Sequence, residues 1–267
     1  MNDKNIINQL QKDFKDWGKI FSVTEFKENL IEKLKKDDFS RNNSRLVFTV
    51  CSDDINRLNE RETIENALTE EYGGGEFHLG TLAAYPIGGI TGMTAASHHP
   101  PDNVKDIGRK EGNLIVFVSP HLGIIIEDEI KYGKILRPGQ IKYSNCCGAM
   151  MGFLEFLKKR NNFKDIKQLQ NDDNDPSKYI IFKELIERFN NKLIDILNLK
   201  ENNQQIIALS KINYELVLNR TLLMIKDFLN NSHFEGNFAI LDGLTINAEE
   251  KDYFVYRHYS FNSVSLT

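Results

Sequence analysis

Three residues of this chain are of types that hold metals, and each stands at the end of an apolar run or the start of one. Residues 46–57 read LVFTVCSDDINR, so a five-residue run stops at Cys51, and Asp53, Asp54 and Arg57 follow. The run LIVFV at 114–118 is followed by Ser-Pro-His, which puts His121 at a comparable place, and Cys147 in CCGAMMG opens an apolar stretch. A thiol where a buried strand meets water, beside a carboxylate and a guanidinium, suits a metal ligand or a nucleophile better than a core residue. Two thiolates and one imidazole suit Zn2+, and three protein ligands leave a fourth tetrahedral position for water, as in catalytic zinc sites. A closed structural site would want a fourth Cys or His, and often Cys-x-x-Cys pairs, which are absent.

Plainer readings compete. Free cysteine is commonly a small buried hydrophobe. His98 and His99, in SHHPP, are rival ligands or loop structure, and Cys146 is either the alternative to Cys147 or a packing residue. Asp53 and Arg57 could be a helix cap and an exposed pair that contributes only about 0.3–0.5 kcal/mol. His78, His233 and His258 take the structural reading, and Met150, Met151 and Phe153 that of core. A further chemistry open to the same residues is a thiol hydrolase with Cys51 as nucleophile and His121 as base.

The elements that must position these residues follow from periodicity. Residues 4–36 carry apolar side chains at three- and four-residue spacing, so residues 1–40 are expected to be a helical segment. LVFTV and LIVFV read as strands buried on both faces, the kind found inside a parallel sheet. A helix is expected from a cap at Asp53 or Asp54 to about Tyr72. Residues 73–101 hold seven glycines and almost no charge. They predict a buried irregular loop with short helical pieces, where backbone approaches something closely. After His121 comes a strand and hairpin turning near Tyr132-Gly133, then a helix opened by Cys147-Gly148. The polar stretch 161–178 predicts an exposed loop. Two long helices over 177–230 and two terminal strands over 237–262 complete one α/β domain spanning 1–267, with the metal residues in a core over 45–155. In open parallel sheets, sites form beyond the carboxyl ends of the strands, where Cys51 and His121 stand.

The bulk numbers exclude several classes. Of 267 residues 40% are apolar, enough for one large core, and the formal net charge is −4. With no basic stripe, nucleic acid is not an expected partner. No apolar run approaches the roughly 18–20 residues that span a bilayer, so no membrane partner is expected. The N-terminus lacks the features of a secretory signal or transit peptide, which makes the cytoplasm the expected location. Three cysteines, two of them adjacent, argue for free thiols rather than a disulfide framework.

The segment Cys51-Ser52-Asp53-Asp54-Ile55-Asn56-Arg57 resembles the zinc-binding segment of β-carbonic anhydrases. GEFHLGTLAAYPIGGITGM, the SHHP after it, SPHLGI and CCGAMMG together resemble the limiting-CO2-inducible B/C proteins, a divergent β-carbonic-anhydrase-like group also called θ-type. The resemblance covers residues 45–155 well and the C-terminal half loosely. It implies a mainly parallel central sheet flanked by helices, with added N- and C-terminal helices. It makes Cys51, His121 and Cys147 the zinc ligands and Asp53 with Arg57 a carboxylate–guanidinium dyad. It implies interconversion of CO2 and bicarbonate through a zinc-bound hydroxide, in a homodimer; an inactive zinc-binding homologue is the alternative. Two departures stand out. The arginine follows the aspartate by four residues instead of two, one helical turn, so the pair can still face each other. The step from His121 to Cys147 is also far wider than the His-x-x-Cys of ordinary β-enzymes.

Overall fold

The structure, a computed structural model, describes residues 2–99, 101, 111–159 and 175–264. Helix α1 (Asp3–Asp13) starts at Asn2, whose side chain accepts the Asn5 N–H. Strand β1 (Lys19–Ser22) follows, and then α2 (Val23–Phe26) and α3 (Glu32–Lys36), joined by a π-helical stretch Lys27–Ile31. Ser22 and Glu25 form a reciprocal capping box at the start of α2. The N-terminal segment is therefore not wholly helical. β1 pairs antiparallel with the last strand and sends Ile20 and Phe21 to opposite faces of the sheet. Four residues are too few for their alternation to stand out between two helical patterns.

Strand β2 (Ser44–Val50) leads to a short 3-10 turn (Asp54–Arg57), and α4 (Ile64–Tyr72) comes only later. The continuous helix expected from Asp53 to Tyr72 is thus broken in two. Asn56 and Arg61 cause the break by turning inward. The Arg61 side chain is fully buried, pairs with buried Asp252 at 2.7 Å and donates to the carbonyls of Ile55, Ala248 and Glu249. Thr63 then caps α4, accepting the Asn66 N–H.

The glycine-rich segment contains β3 (Phe77–His78), a turn at Leu82–Ala84 and α5 (Gly89–Ser97). Its close approach is at Gly80, where a Cβ would lie 2.3 Å from the Val50 carbonyl oxygen. Strand β4 (Asn113–Ser119) is buried throughout, and after Pro120 β5 (His121–Ile126) continues the same direction. The hairpin to β6 (Ile130–Tyr132) turns across 127–129, at the acidic Glu-Asp-Glu, and not near Tyr132-Gly133. Gly133, at φ +87°, instead starts a smaller ladder of β7 (Lys134–Ile135) and β8 (Ser144–Asn145).

Helix α6 (Gly148–Lys158) begins directly after Cys147. The stretch 161–178 expected as an exposed loop lies outside the described residues as far as 174. Asp175 caps α7 (Pro176–Asn198), and α8 (Asn202–Asn231) follows. Strands β9 (Phe238–Asn247) and β10 (Asp252–Phe261) close the chain.

The central sheet runs β1-β10-β9-β4-β2-β3, with β5 also against β9. The neighbours β3, β2, β4 and β9 are mutually parallel, while β10 is antiparallel to β9 and β1 to β10. Alternate residues of β2 and β4 serve two separate cores. Val47, Val116 and Val118 pack with α1, α6, α7 and α8, while Leu46, Phe48, Ile115 and Phe117 pack with α2, α3 and α4. Burial on both faces explains the unbroken apolar runs, as the period-two side-chain alternation requires. No helix among the described residues is long and apolar enough to cross a membrane.

Candidate metal centre

Cys51 follows the last residue of β2, His121 opens β5 and Cys147 precedes the first turn of α6, so three elements deliver their side chains to the carboxyl edge of the sheet. One donor atom from each lies within 4.8 Å of the others, and all three residues are buried. The sulfurs of Cys51 and Cys147 face each other at 3.9 Å. The sequence-predicted trio is therefore brought together, although Cys51 and Cys147 are far apart in the chain. The donor set fits zinc, being two sulfurs and one imidazole in a buried, preformed cluster.

The electrostatics of the cluster are those of groups that share protons. Burial pushes the Cys51 thiol well up, with Cys147 adding to the rise. The hydrogen bond from Cys51 holds Cys147 well below its ordinary value against its own burial, and His121 helps. Burial opposes a charge on His121, but Cys146 and Cys51 outweigh it and raise its pKa. A metal ion entering here would displace those protons, since ligands bind as thiolate and neutral imidazole.

Asp53 lies beside the trio, its Oδ2 3.9 Å from His121 Nε2. Burial would raise its carboxyl, but the His121 charge, the Ile55 N–H and Arg137 together hold it below the usual carboxylate range. Its guanidinium partner is Arg137, with Nη2 2.7 Å from Oδ2, and not Arg57. Arg137, between β7 and β8, is itself hydrogen-bonded to Ser144 Oγ. Arg57 points elsewhere: Nε is 3.6 Å from Glu65, and Nη1 is 3.9 Å from Glu76 and 3.4 Å from His78 Nε2. The correction has a simple geometric cause. Residues four apart share a face of an α-helix, but Asp54–Arg57 is a 3-10 turn with about three residues per turn, which rotates Arg57 away from Asp53. Nothing in the local spacing could have indicated Arg137, because a distant segment supplies it.

The rival ligands stay outside. His98 Nε2 is 4.0 Å from Glu111, and His99 stacks on Phe77 with ring centroids 6.1 Å apart. Cys146 is not a bystander, however: it forms a second convergent group with His121 and Asp53. The segment 79–84 is tied to the site through the Ser52 N–H, which donates to the Thr81 carbonyl. Cys51 and Cys147 share one apolar cluster with Leu79, Ala84, Met93 and Met150, so the donors sit in largely dry surroundings.

The family model for the limiting CO2-inducible proteins B/C beta carbonic anhydrases matches residues 20–263. Among solved structures, PtLCIB4, a homolog of the limiting CO2-inducible protein LCIB, superposes with a TM-score of 0.75 at 21% identity, covering 98% of both chains. The limiting CO2-inducible protein LCIB gives a TM-score of 0.66 at 15% identity, covering 96% of this chain and 98% of that one. At such identities the likeness is one of fold. No curated protein matches the chain.

Proposed function

We propose that this chain, which belongs to the family of limiting CO2-inducible B/C β-carbonic anhydrases, is a zinc-dependent enzyme interconverting CO2 and bicarbonate. The observation that carries this reading is the convergence of Cys51, His121 and Cys147 within 4.8 Å of one another, beside a carboxylate held by its own arginine. Zinc, when bound, lowers the pKa of a coordinated water from about 15.7 toward 7, which supplies a nucleophile near neutral pH.

The remaining work falls to the chain's own residues. Ionised Asp53 can only accept hydrogen bonds, so a water beside it must point a proton at Oδ2 and turn a lone pair toward the carbon of CO2. Arg137 engages Asp53 at 2.7 Å, which would restrain the carboxylate from ligating a metal held by Cys51, His121 and Cys147. This is the role that the resemblance gives to Arg57. The apolar side chains around Cys51 suit an uncharged substrate, and the product bicarbonate leaves with release of one proton.

The test combines metal analysis with stopped-flow CO2 hydration. One zinc per chain is expected in the native protein, with loss from Cys51→Ser, His121→Ala and Cys147→Ser. Asp53→Ala should keep the metal and lose hydration. Zinc-loaded protein that hydrates CO2 no faster than buffer would overturn catalysis and leave an inert metal-binding homologue.

A further inference from the structure

Cys146 lies against the His121 ring, its sulfur 3.6 Å from Nδ1 and 3.9 Å from Nε2, and a buried polar chain determines which way its hydrogen bonds run. The same Sγ is 3.5 Å from Asn247 Oδ1. The direction of each bond follows from the far end of the chain. Burial raises the Asp252 carboxyl, but Arg61 donates to its Oδ1 and the Ile64 N–H to its Oδ2, so both oxygens stand as acceptors. Asn247 must therefore present its NH2 to Asp252 Oδ1, at 2.9 Å, and the same group donates to Asn56 Oδ1 at 3.0 Å. That leaves Asn247 Oδ1 facing Cys146, so the thiol hydrogen is committed to it. The lone pairs of the sulfur then face His121, and the shorter approach, 3.6 Å to Nδ1 against 3.9 Å to Nε2, assigns the donated proton to Nδ1. Nε2, on the Asp53 side of the ring, is left for the metal. Asn56 also reaches the other ligand segment, donating from Nδ2 to the Cys51 carbonyl at 3.3 Å. The four residues Asn56, Cys146, Asn247 and Asp252 are all buried.

The backbone of Cys146 is fixed to match. Its carbonyl accepts the Gly123 N–H at 2.8 Å, and its own N–H donates to Gly133 at 3.0 Å. A Cβ at Gly123 would come 2.6 Å from the Cys146 Cβ, so this approach requires a glycine two residues after the histidine.

We propose that Cys146 is a positioning residue. With Asn247 behind it, it sets the tautomer and orientation of His121, and because its own hydrogen is directed at Asn247 it leaves ligation to its neighbour Cys147. The inference rests on the zinc reading above. Hydrogen-bond partners of this kind behind a ligating histidine typically change metal affinity or activity by about 10–100-fold when removed.

The decisive measurements are zinc affinity by chelator competition and the 15N resonances of the His121 ring, both independent of turnover. Cys146→Ala should weaken zinc binding by about 10–100-fold and, in the metal-free protein, let His121 populate both tautomers. Cys146→Ser, which can still donate and accept, should restore Nδ1–H and most of the affinity. In cobalt-loaded protein, the thiolate charge-transfer bands should survive Cys146→Ser and weaken in Cys147→Ser. Wild-type affinity and tautomer in Cys146→Ala would overturn the proposal, as would loss of the bands in Cys146→Ser but not in Cys147→Ser. If neither Cys146 variant folds, the wild-type spectrum decides, because a zinc-loaded His121 lacking a proton on Nδ1 is incompatible with it. CO2 hydration is scored separately. Intact dependence on Cys146 without hydration removes the enzymatic reading alone, and hydration without that dependence removes this inference alone.

Discussion

At the scale of single residues, the carboxylate beside the candidate centre is held by an arginine from a distant segment. Asp53 and Arg137 are a close ion pair at 2.7 Å, both only partly exposed. Arg137→Ala should release the carboxylate toward the metal, leaving zinc content unchanged and lowering kcat/KM by about 10–100-fold, the range for outer-shell partners. Arg137→Lys should recover only part, because an ammonium cannot hold Asp53 and Ser144 with a planar fork. Glu65 carries a different liability. It is buried, its Oε2 has no hydrogen-bond partner, and burial pushes its pKa from 4.5 to about 8 despite the charge of Arg57. An acid whose folded pKa is raised keeps its proton in the native state after the unfolded chain has lost it. Stability therefore falls as pH rises between about 4.5 and 8, by at most about 1.4 kcal/mol per pH unit, and levels off above. Glu65→Gln should melt higher than wild type, by a margin that widens from pH 5 to 8 and then stays constant. A margin independent of pH would show that Glu65 is ionised throughout. The sequence singled out Cys51, His121 and Cys147, which the fold brings together, because their types are distinctive. It concealed Arg137 and Asn247, whose types are common and whose partners are far away in the chain.

At the scale of elements, β2 and β4 were legible because burial on both faces leaves an apolar run with no alternation to misread. The interrupted helix after Asp53 was not, because an inward-facing arginine looks in sequence like any solvated helix residue. Its meaning appears only when Asp252, on β10, comes to meet it. The turn at 82–84 was hidden for the opposite reason. Ala83 and Ala84 both have positive φ, 54° and 66°, which alanine rarely adopts and no local residue type announces. The buried Asn213 side chain on α8 donates to the Ala83 carbonyl at 3.0 Å and helps hold the turn. A residue with a Cβ in this region costs on the order of 1–2 kcal/mol. Ala84→Gly should relieve that cost and raise the melting temperature by a few degrees, partly offset by the greater freedom glycine has when unfolded. An unchanged or lower melting temperature would mean that the packing around Ala84 outweighs the backbone term.

At the scale of the whole molecule, the candidate donors come from separate stretches of chain, so a bound metal would tie β2, β5 and α6 together. Stripping zinc with a chelator should lower the melting temperature in proportion to affinity, and restoring zinc should reverse the change; Cys51→Ser should show no such response. Association is a prediction at the same scale. Ile87, Ile90, Ile141 and Tyr143 are exposed apolar side chains, and a homodimer should sediment at twice the chain mass of 30.8 kDa. A single species at the chain mass would remove it. The ladder of β7 and β8 has a further consequence. It has only two residues per strand, yet it carries both Arg137 and the Ser144 that steadies it, and between them Ile141 is 94% exposed. A protease cut at that tip would leave every sulfur and imidazole in place while unfastening the guanidinium. The nicked protein should keep its ion and fall silent, its vacant coordination place stoppered by its own aspartate.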